Sequence, residues 1–156
     1  MKYEVRFEFD RRFDDNVYRA SNKSNSSLHN LYDEVRSVTD KIASKARILI
    51  KQELGPAEAD ATAIKNTKWN SDYGGRGRKG WLAAKAKVFA LKSAGATTHP
   101  SMGYDGKEIY GRVEINRRGS SSLEFGGTDP VAELGKGSGE HLSHPAYHFL
   151  RRSMNS

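Results

Sequence analysis

Apolar and polar positions alternate strictly from Lys2 to Phe9, with Tyr3, Val5, Phe7 and Phe9 on one side and Lys2, Glu4, Arg6 and Glu8 on the other. That period of two predicts a half-buried strand. The pattern dissolves between Asp10 and Ser27, where SNKSNSS reads as a loop ending in a supply of helix caps. Leu28, Leu31, Val35, Val38, Ile42, Ala46 and Leu49 then recur at spacings of three and four. They place an apolar stripe along one helix, which Gly55-Pro56 is expected to end. Such a helix is about 40 Å long. Its other face carries Asp33, Glu34, Arg36, Lys41, Arg47 and Lys51, a solvent-facing set. A helix of this length on a small domain needs more cover than its own short sheet gives, and a neighbouring copy of the chain would supply it.

Pro56 to Ile64 is alanine-rich and adds a helical turn or two, whereas residues 66–80 show no periodicity and read as a basic, flexible loop. In WLAAKAKVFAL, residues 81–91, alternation favours a strand and the alanine and lysine content favours a helix; a strand is expected. KEIYGRVEIN, residues 107–116, predicts a strand with Ile109, Gly111, Val113 and Ile115 on one face. Arg117-Arg118-Gly119 turns the chain, Ser120 to Phe125 is expected to pair back as a short strand, and residues 126–143 form a glycine-rich exposed loop. Pro145 opens a last helix in which Tyr147, Leu150 and Met154 share a face. The pattern therefore predicts one α+β domain spanning residues 1–156. In it a small, mostly antiparallel sheet packs on one long amphipathic helix, with a short C-terminal helix and long flexible loops.

Composition changes this picture in three ways. A hydrophobic share of 36% and a mean hydropathy of -0.77 are low for a compact monomer of 156 residues, so loops or partner contacts should use a good part of the chain. The absence of cysteine excludes disulfides, thiolate metal sites and a cysteine nucleophile. No run approaches the roughly 20 apolar residues of a membrane span, and the N-terminus has no apolar leader, so a soluble protein used without export is expected.

The net charge of +7 is local. Residues 65–92 hold Lys65, Lys68, Arg76, Arg78, Lys79, Lys85, Lys87 and Lys92 against the single anion Asp72, and the rest of the chain is balanced. Attraction to polyanions is therefore focused on that segment.

Patterns that would carry chemistry are few. YGGRGRKGW, residues 73–81, contains a formal G-x-G-x-x-G, but IKNTKWNSDY before it is no buried strand, and a dinucleotide loop needs one. There is no G-K-[ST] and no G-x-S-x-G elbow. His141, His144 and His148 have spacings of three and four, yet Pro145 puts His141 outside the last helix and Glu140 is not placed for H-E-x-x-H chemistry. No cofactor and no metal are expected. Arg76, Arg78 and Lys79, with Tyr73 and Trp81 beside them and Lys85 and Lys87 following, have the ingredients for contact with DNA or with an acidic partner. No DNA-reading module accompanies them, so such contact would not read sequence.

SSSLEFGGTDP at 120–130, followed by HPAYHFLRRSM at 144–154, resembles the paired signature of the neck and tail-completion family of long-tailed bacteriophages, also described as minor tail components. Glu124, Phe125, Gly126 and Gly127 match its Glu-Phe-Gly-Thr-like turn, with the threonine displaced to Thr128. His144, Pro145, Phe149, Leu150 and Arg151 match its His-Pro-Phe-Leu-Arg-like helix start, with Ala146-Tyr147-His148 inserted. The family's Pro-x-x-Thr-Gly-like turn after the long helix is missing, the basic segment stands in its place, and the N-terminal strand has no counterpart.

The resemblance implies a structural virion protein, assembled in the host bacterial cytoplasm, that forms a homo-oligomeric, hexameric ring at the head-tail neck. Its partners would be head-closure or stopper proteins and tail terminator or tail tube proteins, with genomic DNA passing through the lumen. It implies no catalytic residue and no membrane. The competing reading is a small nucleic-acid-binding module without sequence preference, and a third is a hydrolase or nuclease using Glu140, His141 and His144.

Overall fold

The computed structural model describes residues 4–5, 26–67, 76–104, 108–133 and 141–155. In chain order the elements are β1 (Glu4–Val5), α1 (Ser26–Thr67), α2 (Arg76–Ala96), β2 (Thr98–Tyr104), β3 (Ile109–Ile115), α3 (Ser120–Phe125), β4 (Gly127–Glu133), β5 (His141–His144) and α4 (Phe149–Met154). The fold is α+β, as the pattern predicts. Its strands form two antiparallel sheets, one ordered β1-β3-β2 and a second made of β4 and β5. Of the predicted N-terminal strand, Glu4 and Val5 pair with Arg112 and Gly111; its other residues, and residues 10–25 of the expected loop, lie outside the described residues, while Ser26 and Ser27 already belong to α1.

α1 is longer than the pattern predicts. It runs 42 residues, about 63 Å, straight through Gly55-Pro56. Pro56 has no N–H for the carbonyl of Gln52, but the alanine-rich stretch after it continues the helix, and Ala57 is buried. The buried stripe is also rotated from the predicted one. Val35, Thr39, Ile42, Ala43, Ala46, Ile50 and Ala57 are buried, while Val38 stays 40% exposed. Thr39 is tolerated inside because its hydroxyl donates to the Val35 carbonyl at 2.7 Å. Arg47 stays exposed, as expected, while its guanidinium donates through Nε and Nη2 to the Thr98 carbonyl at 3.2 and 2.6 Å and pins α1 to the start of β2.

The segment read as a flexible loop at 66–80 and a strand at 81–91 is largely helix: residues 66–67 end α1, residues 76–96 are α2, and residues 68–75 lie outside the described residues. Helix propensity overrides the alternation here. Ala90, Leu91 and Ala94 are buried and Val88 partly so, a seam of period 3.6 that the short alternating run concealed. Small side chains on both helices let them approach, and Gly95 packs beside Ile50. Lys92 pairs with Glu58 at 2.6 Å. The partner numbers fall on one helix as they rise on the other, so α1 and α2 are antiparallel.

β3 follows the alternation read from sequence, with Ile109, Gly111, Val113 and Ile115 buried. Gly111 has a specific reason: a Cβ there would collide with the Thr39 hydroxyl of α1, so the strand can lie this close to the helix only without a side chain. The expected strand at 120–125 is a helix instead. Gly119 adopts a left-handed φ of 81°, and the Ser122 amide bonds the Gly119 carbonyl at 3.1 Å, which winds the chain into α3 rather than a hairpin. The expected loop at 126–143 contains β4 and β5, paired from Gly127↔His144 to Glu133↔His141, with residues 134–140 outside the described residues. The last helix begins at Phe149, not Pro145. The amides of Tyr147 and His148 bond the carbonyls of Leu123 and Glu124 at 2.9 and 3.2 Å, and His148 sits at φ 52°, so this stretch is spent on α3 before α4 can start.

Candidate functional site

The two sequence motifs meet in space, and their charged groups make the joint. Glu124 is 2% exposed, and its carboxylate accepts the amides of Leu150 (Oε2, 3.1 Å) and Arg151 (Oε1, 3.0 Å). These are first-turn donors of α4, the ones an N-cap side chain normally satisfies. The capping position itself, His148, makes no side-chain cap bond. Glu124 therefore serves as a cap delivered from another helix. The stacked rings of Tyr147 and Phe149, 5.0 Å apart, and the buried Leu150 fill the space behind it.

Gly126 is fixed by two constraints, a φ of 79° and the Ala146 nitrogen 3.1 Å from where a Cβ would stand. Gly127 follows at φ 118°. Both belong to the turn that brings β4 alongside the second motif. On the outside of this joint, Phe125 is 54% exposed, and Pro145 and Arg151 face solvent.

His144 points inward. Its Nε2 lies 3.3 Å from Asp129 Oδ2, which also accepts Arg117 Nη2 at 2.8 Å. The histidine and aspartate side chains are fully buried and Arg117 nearly so. Because a carboxylate only accepts, Nε2 carries the proton of the neutral ring, which leaves Nδ1 bare; that atom has no partner. Burial lowers the pKa of His144 below its ordinary value. The bond to Asp129 and its charge oppose the shift, whereas the charges of Arg117 and Lys87 add to it. An aspartate, a histidine and an arginine thus form a sealed clip that ties the β4–β5 ribbon to the turn after β3. None of the three side chains is open to a substrate.

Sequence reading missed Asp129 and Arg117. Arg117 stood in an ordinary turn and Asp129 in an apparent loop, and only the pairing of β4 with β5 brings them to His144. The candidate metal set is not assembled by the described residues: His144 is committed to Asp129, His148 packs against α3, and the side chain of His141 and the whole of Glu140 lie outside them. Among the described residues, no three histidine or acidic groups converge on a point that could hold a metal ion.

The cationic candidates lie elsewhere, on α2. Arg76, Arg78 and Lys79 occupy its first turn; their side chains lie outside the described part. Lys85 is exposed and stands over the Trp81 ring, 5.0 Å from its centroid. Lys87 is half-buried on the side facing the ribbon. The structure therefore brings the predicted motif residues together in one joint and places the cationic candidates on α2. Compared with family models, curated proteins and solved structures, the chain matches none.

Proposed function

We propose that this chain is a structural virion protein of the phage head-tail interface, a neck, tail-completion or tail-terminator subunit that acts through contacts with identical and unlike subunits and not through turnover. One observation carries the reading. On α1 the described side chains span residues 30–65, and among the described residues the buried ones run only from Val35 to Ala57, so the helix reaches past the core that the described residues provide. Helical ends without tertiary cover are marginal in water. Neighbouring copies in a hexameric ring would cover them, and exposed Ile48, Phe89, Tyr104 and Phe125 are the kind of apolar side chains that such contacts use. The joining of the two motifs through Glu124 is a further support, because it gives the sequence resemblance a structural purpose.

In this reading the ring sits between the head-closure or stopper proteins and the tail tube, and its lumen passes the genome. The test is made on particles. Antibody against the chain should label the head-tail junction of purified virions produced by the genome that encodes it, and peptides of the chain should be found in those virions by mass spectrometry. Their absence from intact particles would sink the proposal.

The α2 surface favours a second reading, a nucleic-acid-binding module without sequence preference. Light scattering separates the two at the level of assembly: self-association in the absence of nucleic acid supports the ring, and a monomer that persists at high concentration while binding DNA supports the module.

A further inference from the structure

The outer face of α1 sorts its charges by position. Residues 30–40 hold Asp33, Glu34 and Asp40 against Arg36, which lies 3.9 Å from Asp40. Residues 41–51 hold Lys41, Lys45, Arg47 and Lys51 and no acid, and Arg47 is committed to the Thr98 carbonyl. The three acids and the three lysines all stand on the half of the helix turned away from the buried Val35, Thr39, Ile42, Ala46 and Ile50; Lys45 is half-buried and the rest are exposed. Nothing within the helix accounts for the sorting. No acid stands three or four residues from Lys41, Lys45 or Lys51, and Lys41 and Lys45, four apart, repel each other. The helix dipole acts only within the terminal turns, and Asp40 and Lys41, where the sign changes, lie well inside Ser26–Thr67.

We propose that this face docks against the same face of a second copy of the chain, with the two α1 helices antiparallel about a two-fold axis. Charge complementarity selects that occupant. Reversing one helix sets the acidic half of each copy on the basic half of the other, so the contact is made twice, whereas a parallel pair would set like on like. A polyanion would suit the lysines alone, and the acids one to two turns away would repel it. Ser37 and Ser44, both exposed, straddle the sign change, and their small side chains let two helices approach there. Val38, 40% exposed, and Ile48, 57% exposed, supply apolar area beside the charges. The inference goes beyond the neck reading and does not rest on it.

The experiment is sedimentation velocity of the intact chain. Wild type should run as a pair at about 50 mM salt and dissociate toward about 500 mM, as exposed charges become screened. Two variants give the face a single sign: Asp33→Lys with Glu34→Lys and Asp40→Lys, and Lys41→Glu with Lys45→Glu and Lys51→Glu. Each should keep its circular dichroism spectrum and self-associate at least about tenfold more weakly, and mixing the two should restore a one-to-one pair. Because the chain has no cysteine, cross-linking reads the orientation cleanly. Ser37→Cys mixed with Ser44→Cys should form the mixed disulfide on oxidation. That arm decides the matter even where a triple reversal unfolds.

A wild type that stays monomeric at low salt would overturn the proposal. So would association that survives both reversals, reversed variants that ignore each other when mixed, or Ser37→Cys joining only to itself. Pairing that appears only with added duplex DNA or polyglutamate would give the face to a polyanion instead. Labelling of the virion neck is read separately, so the pair can fail while the neck assignment stands, and the reverse.

Discussion

At the scale of single residues, two buried charged groups decide how the C-terminal third is held. Glu124 offers two oxygens to two amides, and an amide side chain can offer only one. Glu124→Gln should therefore lose one charge-assisted bond and set an N–H against another, costing about 1–3 kcal/mol. Denaturant unfolding would show it as a lower midpoint with an unchanged slope. His144 makes stability depend on pH. Its pKa is lower in the fold than in the unfolded chain, so above about 6.5 both states are neutral and nothing is lost. Below that value the unfolded chain takes up a proton that the buried ring resists, and stability falls until the pH reaches the folded pKa. The melting temperature at about pH 5 should lie below that at about pH 7.5, and His144→Gln should flatten the difference. An unchanged acid limb in that variant would count against His144 as its source.

At the scale of elements, Gly55 and Pro56 show the limit of local punctuation. Both are strong helix stops, yet α1 passes through them, because a break would unseat Ala57 and the pairing of Glu58 with Lys92. Gly55 does not take a left-handed φ, and a Cβ there would touch nothing within 4 Å. Gly55→Ala should thus stabilise the fold by about 0.5–1 kcal/mol, measured by denaturant unfolding. Elements whose pattern was set by burial on one face were legible: β3 alternates as read, and Ile42 and Ala46 lie on the buried side of α1. α2 was not, since its buried set is mostly alanine and its lysines alternate by chance over a few residues. α3 was hidden because its fold depends on the left-handed Gly119 and on the bonds of its Leu123 and Glu124 carbonyls to the distant amides of Tyr147 and His148.

At the scale of the whole molecule, the same distinction separates the site residues. Glu124 and His144 were legible as motif members, but their work depends on Leu150, Arg151, Asp129 and Arg117, which distant chain pairing supplies. The exposed members carry a different expectation. Phe125→Ser and Phe89→Ser remove half-exposed rings, so each should cost about 1 kcal/mol of stability and leave the fold intact. If these rings meet neighbouring subunits, both variants should shift light-scattering profiles toward monomer. Profiles identical to wild type would remove these two side chains from the interface.

Residues 58–67 and the buried middle of α1 belong to one continuous rod, so a load applied near Thr67 is carried along its hydrogen-bond ladder toward Val35. That ladder lacks one rung, at Pro56, immediately before the last buried residue of the helix. Bending of α1 under such a load would begin at this joint, and α2, packed alongside through Ala90, Leu91 and Ala94, would resist it.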